Sequence, residues 1–172
     1  VFAQAADLPL PTKKLYDQYV RLFKDSGAKR GRLHVWQDNG KNRYFLLLST
    51  REIILITSDY VEDGGFRGAP TMALRLSPHG DLRDIKLLDS PDTKSYVLRV
   101  VRESSGLEGQ NIRNRSDRPA LAVTGATFTA AGFAKTVNGT LDLFLKFYED
   151  MDFGAKGLVH KGTPLPVAYS FD

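Results

Sequence analysis

Apolar positions along this chain follow two rhythms, and the change from one to the other organises it. Residues 12 to 25, "TKKLYDQYVRLFKD", place Leu15, Tyr19, Leu22 and Phe23 at helical spacing, with Gly27 just beyond as a stop. That spacing predicts an amphipathic N-terminal helix. The period then shortens. "RLHVW" and "RYFLLLS" flank "QDNGKN", whose Asn39–Gly40 pair accepts positive φ readily and so predicts a tight hairpin. "EIILITS" follows as a third, almost continuously apolar strand. A glycine-rich turn leads to strands at about 71 to 77 and 82 to 88, joined by "SPHGD" as a second predicted hairpin. Trp36, the single tryptophan, is expected in the core these strands build.

Residues 93 to 103, "TKSYVLRVVRE", carry both signals. The β-branched run favours a strand, whereas Tyr96 with Val100 and Val97 with Val101 suit one face of a helix; a short helix is the better reading. Residues 104 to 120 are rich in Gly, Ser, Asn, Asp and Arg and read as loop, with a short turn near Ile112. From Thr129 to about Met151, Phe133, Val137, Leu141, Phe144 and Leu145 fall in register, followed by Tyr148, and predict the longest helix. Gly132 and Gly139 weaken it by up to about 1 kcal/mol each relative to Ala, which points to close packing against the sheet. After Gly154 the tail, with Gly157, Gly162, Pro164 and Pro166, reads as loosely structured. The expected fold is α+β: one domain over residues 1–172, an antiparallel sheet with flanking helices, including an N-terminal helix and a long helix after the "TGAT" at 124 to 127.

Composition narrows the chemistry. With 172 residues, 42% hydrophobic and 26% charged, the chain can bury a real core. No run approaches the roughly 18 apolar residues of a membrane-crossing helix. Cysteine is absent, which removes disulfides, thiolate metal sites and thiol catalysis. The opening "VFAQAAD", with Ala3 and Ala5 at the small positions of an A-x-A cleavage site, reads as the tail of a secretory signal and predicts export. A net charge of +4, with basic residues scattered among acids, makes "KRGR" at 29 to 32 a solvated loop rather than a nucleic-acid contact. His34, His79 and His160 lack the spacing of a zinc pair, and no G-x-S-x-G elbow occurs. "GGFRG" at 64 to 68 lacks the lysine and helix of a phosphate loop and reads as a turn whose glycines take positive φ.

One segment stays chemically open. "AVTGATFTAAGF", Ala122 to Phe133, sets Thr124, Thr127 and Thr129 around a Gly-Ala pair directly ahead of the long helix. Helix-start amides of about Thr127 to Thr129 would point outward unpaired and favour a phosphate. From these residues alone the better reading is that Thr124 or Thr127 is simply an N-cap.

This "TGAT" followed by "FTAAGFAKTVN" resembles the signature of the FMN-binding domain family. That family includes the flavin-bearing subunits of the sodium-pumping NADH:quinone reductase and the Rnf ion-translocating complex, and the periplasmic part of NosR-type regulators. "GGFRGAPTMALRLSPHGDLRDIKLLDSPDTKSYV" is similar to its Gly-aromatic-x-Gly turn, strand, glycine turn, strand and acidic-x-Thr loop, so the likeness spans about residues 62 to 145. It implies that Thr127 carries FMN through a phosphoester bond made by a separate flavin transferase. Gly125 and Ala126 would be small to let the ribityl phosphate pass, Thr124 would support the turn, and Thr129 would hydrogen-bond the phosphate. Phe66, Gly68, Thr93 and Tyr96 would lie in the loops that surround the flavin ring, with Arg67, Lys94 or Arg99 stabilising its reduced anion. Two positions depart from the family pattern: Leu121 stands where an aspartate is usual, and "SYV" at 95 to 97 replaces Gly-Leu-Gly.

The resulting expectation is a periplasmic or extracellular FMN-carrying electron-transfer module. Its partners would be redox proteins, including membrane-bound ones, with no nucleic acid, and a carrier module or subunit of a larger system is the better reading than a free-standing enzyme. The competing class is a flavin-free sensory or binding domain that kept the fold. A free-standing flavin reductase has less support, because no nicotinamide-binding fingerprint is present.

Overall fold

The computed structural model describes residues 31–38, 41–47, 50–61, 68–152, 159–160 and 167–171. The helix expected over 12 to 25, Phe66 and Arg67 lie outside the described residues.

Strands β1 (Gly31–Asp38) and β2 (Lys41–Leu47) pair antiparallel with Asp38 opposite Lys41. The two strands therefore pair as the predicted hairpin requires, with residues 39–40 themselves outside the described residues. β3 (Ile53–Ile56), β4 (Thr71–Leu76) and β5 (Leu82–Asp89) extend the sheet in succession, each antiparallel to the last. Two short strands, β6 (Met151–Asp152) and β7 (Val159–His160), pair with each other. β8 (Val167–Phe171) then joins the far edge, giving the six-stranded order β5-β4-β3-β2-β1-β8. These last strands correct the expectation of a loosely structured tail. The edge of β1 offers an unpaired row of backbone donors and acceptors, and "VAYSF" has the aromatic and β-branched content to fill it. Gly31 and Arg32 of "KRGR" are likewise strand rather than loop, paired to Phe171 and Ser170.

Alternation along the strands divides the sheet into two faces. Tyr44, Leu46, Ile53, Leu55, Met72, Leu74 and Leu76 join one cluster with the helices, while Phe45, Ile54, Ile56 and Ala73 on the opposite face are buried as well. Burial on both faces explains why "EIILITS" is apolar almost throughout instead of alternating. Trp36 is only 4% exposed and takes its place in the core beside Tyr44.

Helix α1 (Lys94–Glu103) settles the ambiguous segment. Its buried face is Val97 and Val100, continued by Ser104 and Leu107, whereas Tyr96 and Val101 are exposed. Helix α2 (Thr127–Glu149) begins two residues earlier than its apolar register suggests and ends before Met151. It lays Phe133, Val137, Leu141, Phe144 and Tyr148 on the sheet. Gly139 approaches Val61, in the segment after β3 rather than in a strand of the sheet, so closely that a Cβ there would lie 3.2 Å from a Val61 methyl.

Beside α2, the Arg43 guanidinium lies over the rings of Tyr60 and Phe147, at 5.3 and 5.4 Å from their centroids. Arg43 Nη1 also donates to the Asp59 carbonyl at 2.9 Å. Burial pushes the Asp59 carboxyl up to about 6, against the pull of Arg43 and Lys41. A carboxyl raised on folding stabilises the native state fully below its unfolded pKa and loses that contribution as pH rises through about 6. Discounted for its part exposure, the effect is about 1 kcal/mol. Asp59→Asn is therefore expected to be more stable than the parent by about that amount near pH 8 and equal to it near pH 4, measured by urea denaturation.

Candidate functional site

The long helix starts where it does because of the turn before it. Ala126 N donates to Val123 O at 3.0 Å, closing a four-residue turn in which Gly125 has φ 80°. That conformation favours glycine. A Cβ at Gly125 would also fall 2.6 Å from Arg99 Nη1. The chain leaves this turn directly into α2, with Ala126 as N-cap and no side-chain cap bond. Neither Thr124 nor Thr127 caps the helix, and the first intrahelical bond is donated by Ala130 N to Ala126 O. The amides ahead of Ala130 have no intrahelical acceptor.

These amides border a cleft of about 410 Å³ lined by Asp92, Thr93, Tyr96 and residues 125–129. Its size falls within the range of small-molecule sites, about 300–1,000 Å³. Two helix starts meet there, since Thr93 is the N-cap of α1. They are not equivalent. Asp92, two residues ahead of α1 and 9% exposed, supplies the protein's own anion at that end. The first turn of α2 contains no acidic residue, so its positive end faces the cleft uncompensated.

The three threonines separate clearly. Thr127 is exposed in the cleft wall. Thr129 also lines the cleft but is only 3% exposed. Thr124 lies on the other side of the turn, lining a neighbouring groove with Arg99 and Arg102.

Of the other sequence candidates, Thr93, Tyr96, Gly125 and Ala126 line the cleft. Gly68, with φ 127°, does not line the cleft; a Cβ there would be 3.6 Å from Pro91 Cγ. Lys94 does not line the cleft, and Arg99 holds the turn from the groove side, donating to Thr124 O at 3.4 Å. Phe128 escaped the sequence reading. It is 75% exposed in the cleft wall, as Tyr96 is at 43%. An exposed aromatic between two threonines at a helix start was the available signal.

The departures from the family pattern have local causes. Leu121 is partly buried against the core, a position unsuited to an unpaired carboxylate. "SYV" forms the first turn of α1, where Val97 is buried and Tyr96 reaches the cleft.

Comparisons of the chain with protein-family models, with curated proteins and with solved structures give no match. The site is therefore read from its own geometry.

Proposed function

We propose that this domain is an FMN-carrying electron-transfer module acting outside the cytoplasm, with the flavin phosphate at the start of α2 and Thr127 as its point of attachment. One observation carries the reading: the fold gathers Thr93 and Tyr96 from one helix start and residues 125–129 from another into a single cleft. The cleft matches the parts of the ligand. Uncompensated helix amides and the Thr129 hydroxyl suit a phosphate, and the exposed rings of Tyr96 and Phe128 suit a planar heterocycle. The bound flavin supplies the redox chemistry, and the protein supplies position and electrostatics.

Within the chain, the Val123–Ala126 turn holds Thr127 at the mouth of the cleft, and Gly125 leaves its backbone uncovered. Attachment would form a Thr127 O–P bond as the bond from the flavin phosphorus to the leaving group of the transferase's donor breaks, with the hydroxyl proton released alongside that leaving group and one FMN less one water added to the chain. The partners are redox proteins, including membrane-bound ones, and a flavin transferase. The setting outside the cytoplasm is what the resemblance to the FMN-binding domain family implies. Among the described residues no helix is long and apolar enough to cross a membrane.

A second reading, a flavin-free sensory or binding domain on the same fold, draws on Leu121. A visible spectrum of protein isolated from its native compartment decides between them. Yellow colour that survives denaturation is expected for ester-linked flavin, and colour lost on denaturation marks bound flavin. The loaded domain is expected to be reduced readily by dithionite and only sluggishly by NADH, since the chain has no dinucleotide fingerprint. A colourless protein that also fails to bind added FMN would sink the proposal.

A further inference from the structure

Six cations of the described residues are held by the chain's own carboxylates. Arg43, Arg75, Arg83, Lys86, Arg115 and Arg118 each face one at 3.9 Å or less. Helix α1 differs. Lys94, Arg99 and Arg102 are all exposed, and none of them makes an ion pair among the described residues. Three cations against Glu103, the one acid of the helix, leave it two positive charges in excess. A surface that meets this helix gains most if it is anionic.

The same helix carries exposed apolar surface. Val97 and Val100 are buried in the core, whereas Leu98 is 51% and Val101 39% exposed. Lys94, Leu98 and Arg102 recur at every fourth residue, and Val101 follows Leu98 by three, so they share one stripe along the solvent side. Of the five large hydrophobic side chains exposed among the described residues, three, Tyr96, Leu98 and Val101, belong to this one helix. Their neighbours on the stripe are cations whose apolar stems lie beside them and whose charged heads reach outward.

Size decides which anionic surface fits. Ten residues make a helix about 15 Å long and about 10–12 Å wide with its side chains. Such a face falls well short of the roughly 800 Å² per partner of a stable protein interface. It also has no Asn or Gln side chain to fix a partner's orientation. A layer of laterally mobile phosphate headgroups needs neither a matching shape nor a large area, because each cation finds its own anion.

The structure assigns the solvent face of α1 to an anionic lipid surface. Lys94 and Arg102, with Arg99 at the flank, meet the headgroup phosphates, and Leu98 and Val101 enter the boundary between headgroups and acyl chains. The helix lies in the plane of the surface, its ten residues being about half of the roughly 20 that a crossing helix needs. The cleft, bordered by Thr93 and Tyr96 at the start of this helix, is thereby held at the membrane surface. This assignment is independent of the flavin reading.

The test is co-sedimentation of the full chain with vesicles of equal parts phosphatidylglycerol and phosphatidylcholine, and with vesicles of phosphatidylcholine alone. Wild type is expected to bind the anionic vesicles at least about tenfold more tightly, since each excess charge contributes about fivefold. That preference is expected to vanish near 1 M salt, where the Debye length is about 3 Å. Lys94→Gln with Arg102→Gln should abolish the preference, and Leu98→Ser with Val101→Ser should weaken binding about tenfold. Arg113→Gln with Lys146→Gln removes two cations beside Tyr148 and Phe147, near the far end of α2, and should bind as wild type does. Thermal melts check that each pair keeps the fold. Equal binding to both vesicle types would overturn the proposal, as would full wild-type binding by both α1 pairs or an equal loss in the Arg113 and Lys146 pair. Absence of binding to anionic vesicles would also overturn it, and crosslinks from a photoreactive residue at position 98 to a protein of the native compartment would then reassign the face to a protein partner.

Discussion

Thr127→Ala is expected to abolish flavin attachment completely. Coexpressed with a flavin transferase and magnesium, the wild-type domain should gain the mass of one FMN less one water, and the variant should gain nothing. The structure makes this a sharp expectation, because the three threonines differ in access. Thr127 is exposed in the cleft, Thr129 is 3% exposed beside it, and Thr124 lines the groove across the turn. Thr127→Ser should retain part of the modification, since the nucleophile type is kept. Thr129→Val keeps the packing and removes only the hydroxyl. It should still be modified, while free FMN binds it about tenfold or more weakly, in line with about 1.5–3 kcal/mol for a hydrogen bond to a charged group. Intact mass and peptide mapping are the measurements. Flavin mapped to Thr124 or Thr129 would refute the assignment, as would a never-modified chain in which Thr127→Ala and Thr129→Val bind free FMN as tightly as wild type.

The largest expected effect on stability comes from a residue remote from the cleft. Arg118, with a side chain 8% exposed, donates through Nε to Asp142 at 3.1 Å, through Nη1 to Gln110 and to the Asn111 carbonyl, and through Nη2 to the Ile112 carbonyl at 2.6 Å. Gln110 in turn donates to Asn138 at 3.1 Å, and Asn138 to the Pro119 carbonyl at 2.8 Å. This network holds residues 104–120, which form little regular structure, against α2, and so fixes where the chain enters the Val123–Ala126 turn. Arg118→Ala strands these part-buried acceptors and should cost about 2–3 kcal/mol, lowering Tm by on the order of 10 °C. Arg118→Lys should recover little, because an ammonium cannot reproduce the planar fork. Urea denaturation and thermal melts measure both. A loss under about 1 kcal/mol for Arg118→Ala would mean that the loop holds its place without the guanidinium.

The network also shows why the loop was legible only in part. A stretch rich in Gly, Ser, Asn, Asp and Arg announces the absence of regular structure. It does not announce that Ile112 is buried under Gly80 and Tyr148. A Cβ on Gly80 would meet an Ile112 methyl at 2.5 Å, and Tyr148 donates to the Pro78 carbonyl at 2.7 Å. These contacts join segments far apart in sequence, and no local pattern carries them.

Elsewhere the local signals were sufficient. The Asn-Gly pair predicted the first hairpin, and β1 and β2 pair antiparallel with Asp38 opposite Lys41. The apolar register of α2 predicted the face that packs on the sheet, and Gly139 signalled a close neighbour. In each case the physics is contained within a few residues of the chain. The register could not place the start of α2, which depends on Gly125 completing its turn at φ 80° with Arg99 packed behind it. Nor could composition show that Val167–Phe171 would close the sheet beside β1, since strand pairing across most of the chain is decided by which edge stays open.

The sequence by itself determined the α+β class, both hairpins, the apolar stripe of the long helix and the concentration of candidate chemistry at residues 124 to 129. Each follows from backbone preference or side-chain period acting over short range. Only the tertiary structure decided that Thr93 and Tyr96 meet that segment across one cleft, that Thr124 turns away from it, and that Phe128 and Arg99 belong to its surroundings. Packing α1 against the start of α2 brings those groups together, and the burial that drives such packing depends on the whole core rather than on any stretch of chain that can be read alone.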